Sequence, residues 1–236
     1  MAQHIPVLLE EAINGLKIEK NGVYVDGTFG EGGHSKYILK ELGEEGKLFA
    51  FDHDPDAGEK ETERNKNLFL IRKNFKYMKN YLKYHQAIPV KGILVDLGLS
   101  SFQLNKSDRG FSYKTNDELD MRMNPNLEKK ARDILLKYSE DDLTNIFKKY
   151  GELKNGKKIA RRITEKREEI DITKTKGLLK TINDLIPRGK NRNKSLSKLF
   201  QSLRIEVNDE LSALKKFLRD SSYVLEKGGR LVAISY

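Results

Sequence analysis

Val23-Tyr24-Val25-Asp26-Gly27-Thr28-Phe29-Gly30-Glu31-Gly32-Gly33-His34-Ser35 is the stretch from which the fold is read. A short β-branched and aromatic run ends in an acid, a glycine-rich turn follows, and a helical pattern occupies residues 35–42. Strand, turn and helix in that order open a βαβ unit. Upstream, Val7, Leu8, Leu9, Ala12, Ile13 and Leu16 recur at helical spacing before Asn21-Gly22 breaks the pattern. Downstream, strands are expected at 47–51, running into Asp52-His53-Asp54-Pro55, at 68–71 and at 92–97, with a helix over 75–85. The unbroken apolar core Ile93-Leu94-Val95 predicts a strand covered on both faces. Strands separated by helices imply right-handed crossovers and a parallel sheet, so the expected fold class is α/β and Rossmann-like. Ligands of such sheets bind beyond the carboxyl ends of the strands, which singles out 26–33, 52–55, Asn74-Phe75 and 96–103.

The turn itself discriminates between ligands. Gly27-x-x-Gly30-x-Gly32-Gly33 does not fit the dinucleotide spacing G-x-G-x-x-G, and no Lys-Ser/Thr pair follows to make a P-loop. Asp26 and Glu31 would repel a diphosphate but favour a ligand carrying an ammonium and a sulfonium. Asp52, at the end of the second strand, is placed to accept from two ribose hydroxyls, a role that serves NAD and S-adenosylmethionine alike. The acids therefore favour S-adenosylmethionine over the NAD(P) of a dehydrogenase, and the resemblance given below implies a sheet of the S-adenosylmethionine-dependent methyltransferase type. A turn-stabilising Asp26 and a solvated Glu31 are the structural alternatives.

Composition bounds the rest. With 236 residues, 37% of them hydrophobic, the chain can pack one sizeable domain with an insert. The absence of cysteine excludes disulfides, thiolate metal sites and a cysteine nucleophile. No long apolar run and no basic leader is visible, so the expected setting is the cytoplasm, with no membrane partner. The net charge of +10 is unevenly placed: residues 106–216 hold 28 Lys and Arg against 18 Asp and Glu, leaving 17 of each elsewhere. Such asymmetry fits a polyanion-binding segment on a neutral scaffold, or else a lysine-rich solvated surface.

Within that basic segment strand signals vanish. Ser139-Glu140-Asp141-Asp142 matches a capping box that opens a helix ending at Gly151. A second helix over 157–167 turns Ile159 and Ile163 inward and Lys158, Arg161, Arg162 and Lys166 outward. Thr173 is placed to cap a third, which Pro187 ends. Leu196, Leu199, Leu203, Val207, Leu211, Leu214 and Leu218 then predict one long amphipathic helix. Between the last two, Arg188-Gly189-Lys190-Asn191-Arg192-Asn193-Lys194 reads as a polar loop with four cations and no acid. Phosphate contacts, which the resemblance given below makes contacts to RNA, are therefore expected at Arg188, Lys190, Arg192 and Lys194, with Arg161 and Arg162 next. A fifth strand is expected at 230–236, after the turn Glu226-Lys227-Gly228-Gly229. The division is a cofactor domain, 1–104 with 217–236, and an inserted all-helical, basic RNA-recognition domain, 105–216.

Several stretches, in order, resemble a known family. They are His4-Ile5-Pro6-Val7-Leu8-Leu9-Glu10, the turn from Asp26 to Ser35, and Asp96-Leu97-Gly98-Leu99-Ser100-Ser101-Phe102-Gln103-Leu104 followed by Arg109-Gly110-Phe111-Ser112. Leu119-Asp120-Met121-Arg122-Met123 and Phe200-Gln201-Ser202-Leu203-Arg204-Ile205-Glu206 continue the series. Together they resemble the ribosomal RNA small subunit methyltransferase H family, the 16S rRNA cytosine-N4 methyltransferases. The resemblance implies S-adenosylmethionine-dependent N4-methylation of a specific cytidine in 16S rRNA, with the small ribosomal subunit as partner. It assigns the cofactor pocket to Gly32, Gly33, His34, Asp52, Phe75, Asp96 and Gln103. No metal is implied. Asp96, Ser100 and Ser101 are the local groups able to accept hydrogen bonds from the reacting amine. Family members continue beyond the position of Ser235 with a Phe-His-Ser-Leu-Glu-Asp-like motif and further strands, so a C-terminally truncated chain is expected, with a bare fifth-strand edge and weakened methyl transfer. A non-catalytic RNA-binding protein is the competing expectation.

Overall fold

The computed structural model describes residues 6–58, 65–99 and 107–235. Contacts divide the chain into two compact units, 1–102 with 211–236, and 103–210. The first unit begins α1 (Leu9–Leu16), β1 (Val23–Asp26), α2 (Gly33–Glu41), β2 (Lys47–Phe51) and β3 (Leu68–Ile71). A 3-10 turn (Phe75–Tyr77), α3 (Met78–Tyr84) and β4 (Val90–Asp96) follow. After the second unit's α4 (Ala131–Lys137), α5 (Glu140–Lys149), α6 (Gly156–Lys166), α7 (Thr175–Ile182) and α8 (Asn191–Asn208), the chain returns through α9 (Glu210–Val224) and β5 (Leu225–Ile234).

The sheet is parallel throughout in the order β3-β2-β1-β4-β5. Strand order therefore reverses between β1 and β4, and the carboxyl ends of those two strands form the switch point where ligands of such sheets bind. Alternation along each strand explains the layers. Tyr24, Leu48, Leu94 and Ile234 pack with Ala12 and Leu16 of α1 and Ile38 of α2. Val25, Phe49, Phe51, Ile93 and Val95 face the other way, onto Met78 and Leu82 of α3 and Phe217 and Val224 of α9. Each of these fully buried apolar side chains contributes roughly 1.5–3 kcal/mol, enough in sum to hold the strand ends in place.

The second unit is helical, built over buried Leu119, Met121, Ile134, Leu143, Phe147, Ile159, Ile163, Leu178, Leu199 and Leu203. Ser139 makes the expected capping box with Asp142. Asn208, at the end of α8, accepts from Met123 N–H (2.8 Å) and donates to Met121 O (2.8 Å), fastening the 119–123 stretch onto that helix.

Three local expectations are corrected. The fifth strand begins at Leu225, because Leu225 pairs with Val90 and Arg230 with Gly92, so the Glu226–Gly229 turn becomes a bulge inside it. Thr173 does not cap α7: its N–H donates to Asp171 Oδ1 (3.0 Å) in a local turn, and Lys174 occupies the cap position. The leucine repeat is not one helix. Asp209 has φ 51, in the left-handed region, and separates α8 from α9. Leu211 and Leu218 are exposed, because α9 buries Ala213, Phe217, Ser221 and Val224 instead.

A non-glycine residue in the left-handed conformation costs about 1 kcal/mol. Asp209→Gly is therefore expected to raise the melting temperature by a few degrees, and Asp209→Val, whose β-branch disfavours that conformation, to lower it. Thermal denaturation followed by circular dichroism checks the order.

Candidate active site

The glycine turn is held from beneath by Asp26. Its Oδ2 accepts from the Ser35 hydroxyl (2.6 Å) and its Oδ1 from Thr28 N–H (3.0 Å), and the residue is only 1% exposed. Thr28 in turn accepts Asp96 N–H on its Oγ1 (2.7 Å), and Gly27 N–H donates to Leu94 O (2.8 Å). The ends of β1 and β4 are thus tied across the switch point. Gly32, at φ 74, enters α2, and a Cβ there would lie 2.8 Å from the Phe29 ring. A Cβ on Gly33 would lie 2.5 Å from Pro6 Cγ. Both positions need glycine because chain and ring pass close by.

Asp52 has a second task that its sequence position does not reveal. Its Oδ2 accepts from Gly30 N–H (2.8 Å) and its Oδ1 from Asp54 N–H (2.9 Å), so it fastens the turn to the end of β2. Each oxygen keeps a further lone pair for a donor such as a ribose hydroxyl. His34 is buried, and its Nε2 pairs with Val7 O (3.0 Å), tying α2 to the chain before α1. Phe75 opens the 3-10 turn, stands edge-on to Phe217 (5.1 Å between centroids) and lies against Gly27, half-buried. Asn74 fixes that turn, accepting from Lys76 N–H (2.9 Å) and pairing through its amide nitrogen with His53 Nδ1 (2.9 Å). Asn74 carries no sequence signature beyond its place in a strand-end loop, and Ser35, in the first turn of α2, none beyond its place at the end of the glycine turn. Ser100, Ser101 and Gln103 lie outside the described residues.

Burial pushes the Asp26, Asp52 and Asp96 carboxyls up from the ordinary carboxylate range. Backbone and side-chain donors oppose this at Asp26 and Asp52, and the charge of His34 opposes it at Asp26 and Asp96. The acid arrangement differs from the one expected of the turn. Glu31 is exposed and Asp26 spends both oxygens on the loop, whereas Asp96 Oδ1 is buried without any hydrogen-bond partner. A buried acceptor of that kind costs about 1–3 kcal/mol until a donor reaches it. The residues at this rim therefore fit S-adenosylmethionine, which offers an ammonium, an adenine amine and ribose hydroxyls. No cluster of metal ligands occurs among the described residues.

The cations expected to meet RNA fall into two groups. Arg161 pairs with Glu165 (2.7 Å), and Arg162 with Asp184 through two bonds (2.9 and 3.2 Å). Arg188, Lys190 and Lys194 are exposed, with no carboxylate at ion-pair distance among the described residues, and Arg192 reaches Asn183 Oδ1 (3.0 Å). The 188–194 stretch is only partly a loop: α8 starts at Asn191, so Arg192 and Lys194 occupy its first turn. Cations there oppose the helix dipole, which an anion would offset.

The MraW methylase family model matches residues 1–236. The ribosomal RNA small subunit methyltransferase H of Cytophaga hutchinsonii is 47% identical over 234 residues, 99% of this chain and 78% of that protein. Proteins of the same name from Christiangramia forsetii (44% over 236 residues, 100% and 78%) and Bacteroides thetaiotaomicron (45% over 236 residues, 100% and 77%) match in the same way.

The raised Asp26 carboxyl has a consequence for stability. The unfolded chain loses this proton near pH ~4 and the folded chain only at higher pH, so folding is favoured most at low pH and this contribution is lost as pH rises through the folded pKa. Asp26→Asn keeps the shape and can bond both Thr28 and Ser35 without the buried charge. It is expected to flatten this loss, gaining stability on the parent as pH rises above about 4 in thermal melts. A constant difference across that range would show that the carboxylate does not titrate there.

Proposed function

The chain belongs to the MraW methylase family, and from that premise we propose that it transfers a methyl group from S-adenosylmethionine to the N4 amine of a cytidine in 16S rRNA, in the cytoplasm. The observation that carries this is the ring of strand-end carboxylates around the glycine turn, with one buried acceptor on Asp96 left over. When bound, S-adenosylmethionine supplies an electrophilic methyl on a sulfonium. Gly32, Gly33 and His34 shape the wall at the start of α2, Asp52 offers lone pairs to the ribose, and Phe75 gives an apolar face. The family pattern also assigns Gln103 to cofactor binding.

The lone pair of a cytosine amine is delocalised into its ring, so the enzyme must position that nitrogen and accept hydrogen bonds from it as it becomes positive. Asp96 Oδ1 is the acceptor assigned to this step, with Ser100 and Ser101 beside it in sequence. Its burial raises the carboxyl pKa, which makes the carboxylate a better proton acceptor. An internal cytosine has to leave its stack to reach such a site. The helical unit, with its surplus of cations, is the proposed RNA-recognition domain.

Labelled-methyl transfer to small ribosomal subunits tests the reading. The parent chain is expected to incorporate label, and Asp96→Asn to lower the rate by about 100-fold or more, with cofactor affinity by calorimetry changed less than about tenfold. Calorimetric heat with NAD and none with S-adenosylmethionine would sink it. Arg188→Ala, Lys190→Ala, Arg192→Ala and Lys194→Ala combined are expected to flatten the salt dependence of RNA binding by about one unit of slope per lost phosphate contact. An unchanged slope would assign RNA binding elsewhere.

A further inference from the structure

The near-neutrality of the cofactor unit as a whole hides a local separation of charge. From position 64 to position 95 the chain carries eight lysines and arginines and not one aspartate or glutamate. Two of the eight are committed to the fold: Arg72 donates to Pro55 O and to Ala57 O (2.8 Å), and Lys91 pairs with Glu19 (2.9 Å) and Glu226 (3.0 Å). Lys73, Lys76, Lys79 and Lys83 have no carboxylate at ion-pair distance among the described residues. Across from them on α9, Asp220 is buried and already paired with Lys216 (2.5 Å).

These lysines are interleaved with exposed aromatic rings. Lys79 Nζ stands 3.8 Å from the Tyr223 ring centroid and Lys83 Nζ 5.0 Å, and Tyr223 is 55% exposed. Tyr84, at the end of α3, is 81% exposed. An ordinary solvated helix face alternates Lys with Glu at i and i+4, which stabilises it; α3 instead accumulates like charge and leaves apolar ring surface in water. Its buried side, Met78 and Leu82, explains the core but not this outer face.

We propose that the outer face of α3 and α9 in the cofactor unit is a second RNA-contact surface, which takes a single-stranded segment flanking the methylated nucleotide. The inference rests on the reading of RNA as substrate. Lys76, Lys79 and Lys83 meet phosphates, and Tyr84 and Tyr223 stack on bases, the combination by which single strands are held without sequence readout. Position is the further argument. Phe75 lies against Gly27 at the switch point, and the helix that follows it carries Lys76 to Lys83 away from that rim over about 10 Å. RNA leaving the site along α3 meets a cation at nearly every turn.

The test uses the full chain, a fluorescently labelled single-stranded oligoribonucleotide, and anisotropy titrations over a series of potassium chloride concentrations. Lys76→Gln, Lys79→Gln and Lys83→Gln combined are expected to lower the salt slope by about two units. Tyr84→Ala is expected to weaken binding about tenfold and Tyr84→Phe to restore it. Thermal melting and calorimetric S-adenosylmethionine affinity should stay at the parent's values. A parent that binds the oligoribonucleotide while every variant matches it overturns this surface alone. A parent that binds no RNA and methylates no small subunit overturns the substrate reading as well. Loss of binding to phosphatidylserine vesicles with RNA binding intact would overturn the proposal in favour of a membrane surface.

Discussion

A carboxylate buried at the end of β1 is the constraint on which the rest of the site depends. Taking Asp26 out of water costs several kcal/mol, on the order of what two good donors can return, so its surroundings must be exact in position. Thr28 N–H and the Ser35 hydroxyl supply those donors, and supplying them fixes the direction of the turn and the first turn of α2. Thr28, once placed, takes Asp96 N–H and thereby sets the end of β4. Asp52 repeats the device from β2 by holding Gly30. The glycine turn is therefore shaped by acids from two strands, which hold its backbone in place as a binding site requires.

That arrangement leaves an electrostatic remainder. Three carboxylates gathered at one rim, all pushed toward protonation by burial, favour a ligand that brings cationic charge and donors. Two of them are satisfied by the loop and the third keeps a bare oxygen. The division separates roles among residues that look equivalent in sequence: Asp26 builds, Asp52 both builds and offers lone pairs, and Asp96 is held in reserve.

The strands and the glycine turn were legible because their signals are local. β1 and β4 are short β-branched runs ending in acids, and an apolar core such as Ile93-Leu94-Val95 admits little besides a buried strand. What was not legible depends on partners far along the chain. The leucines of α8 and α9 keep one spacing, but Asp209 turns the chain and α9 buries a different face, which only the packing of Phe217 and Val224 on the sheet decides. The bulge in β5 is set by its register on β4. That Asp52 also holds the Gly30 N–H was not legible, because the two residues lie 22 positions apart in the chain.

Charge counted by segment is a similar case. Summed along the chain, the cofactor unit is balanced, and the basic middle segment alone suggests a polyanion. Summed by face, the structure shows the same kind of uncompensated repulsion in each unit. In the helical unit, Arg192 and Lys194 sit in the first turn of α8, where the dipole disfavours them. In the cofactor unit, Lys76 of the 3-10 turn and Lys79 and Lys83 of α3 follow one another without an acid among them. Lys79 and Lys83 stand over the Tyr223 ring and so help join α3 to α9, but no carboxylate lies at ion-pair distance from them among the described residues. Both arrangements would gain from a polyanion that supplies the missing charge, and an RNA strand carries one phosphate per nucleotide.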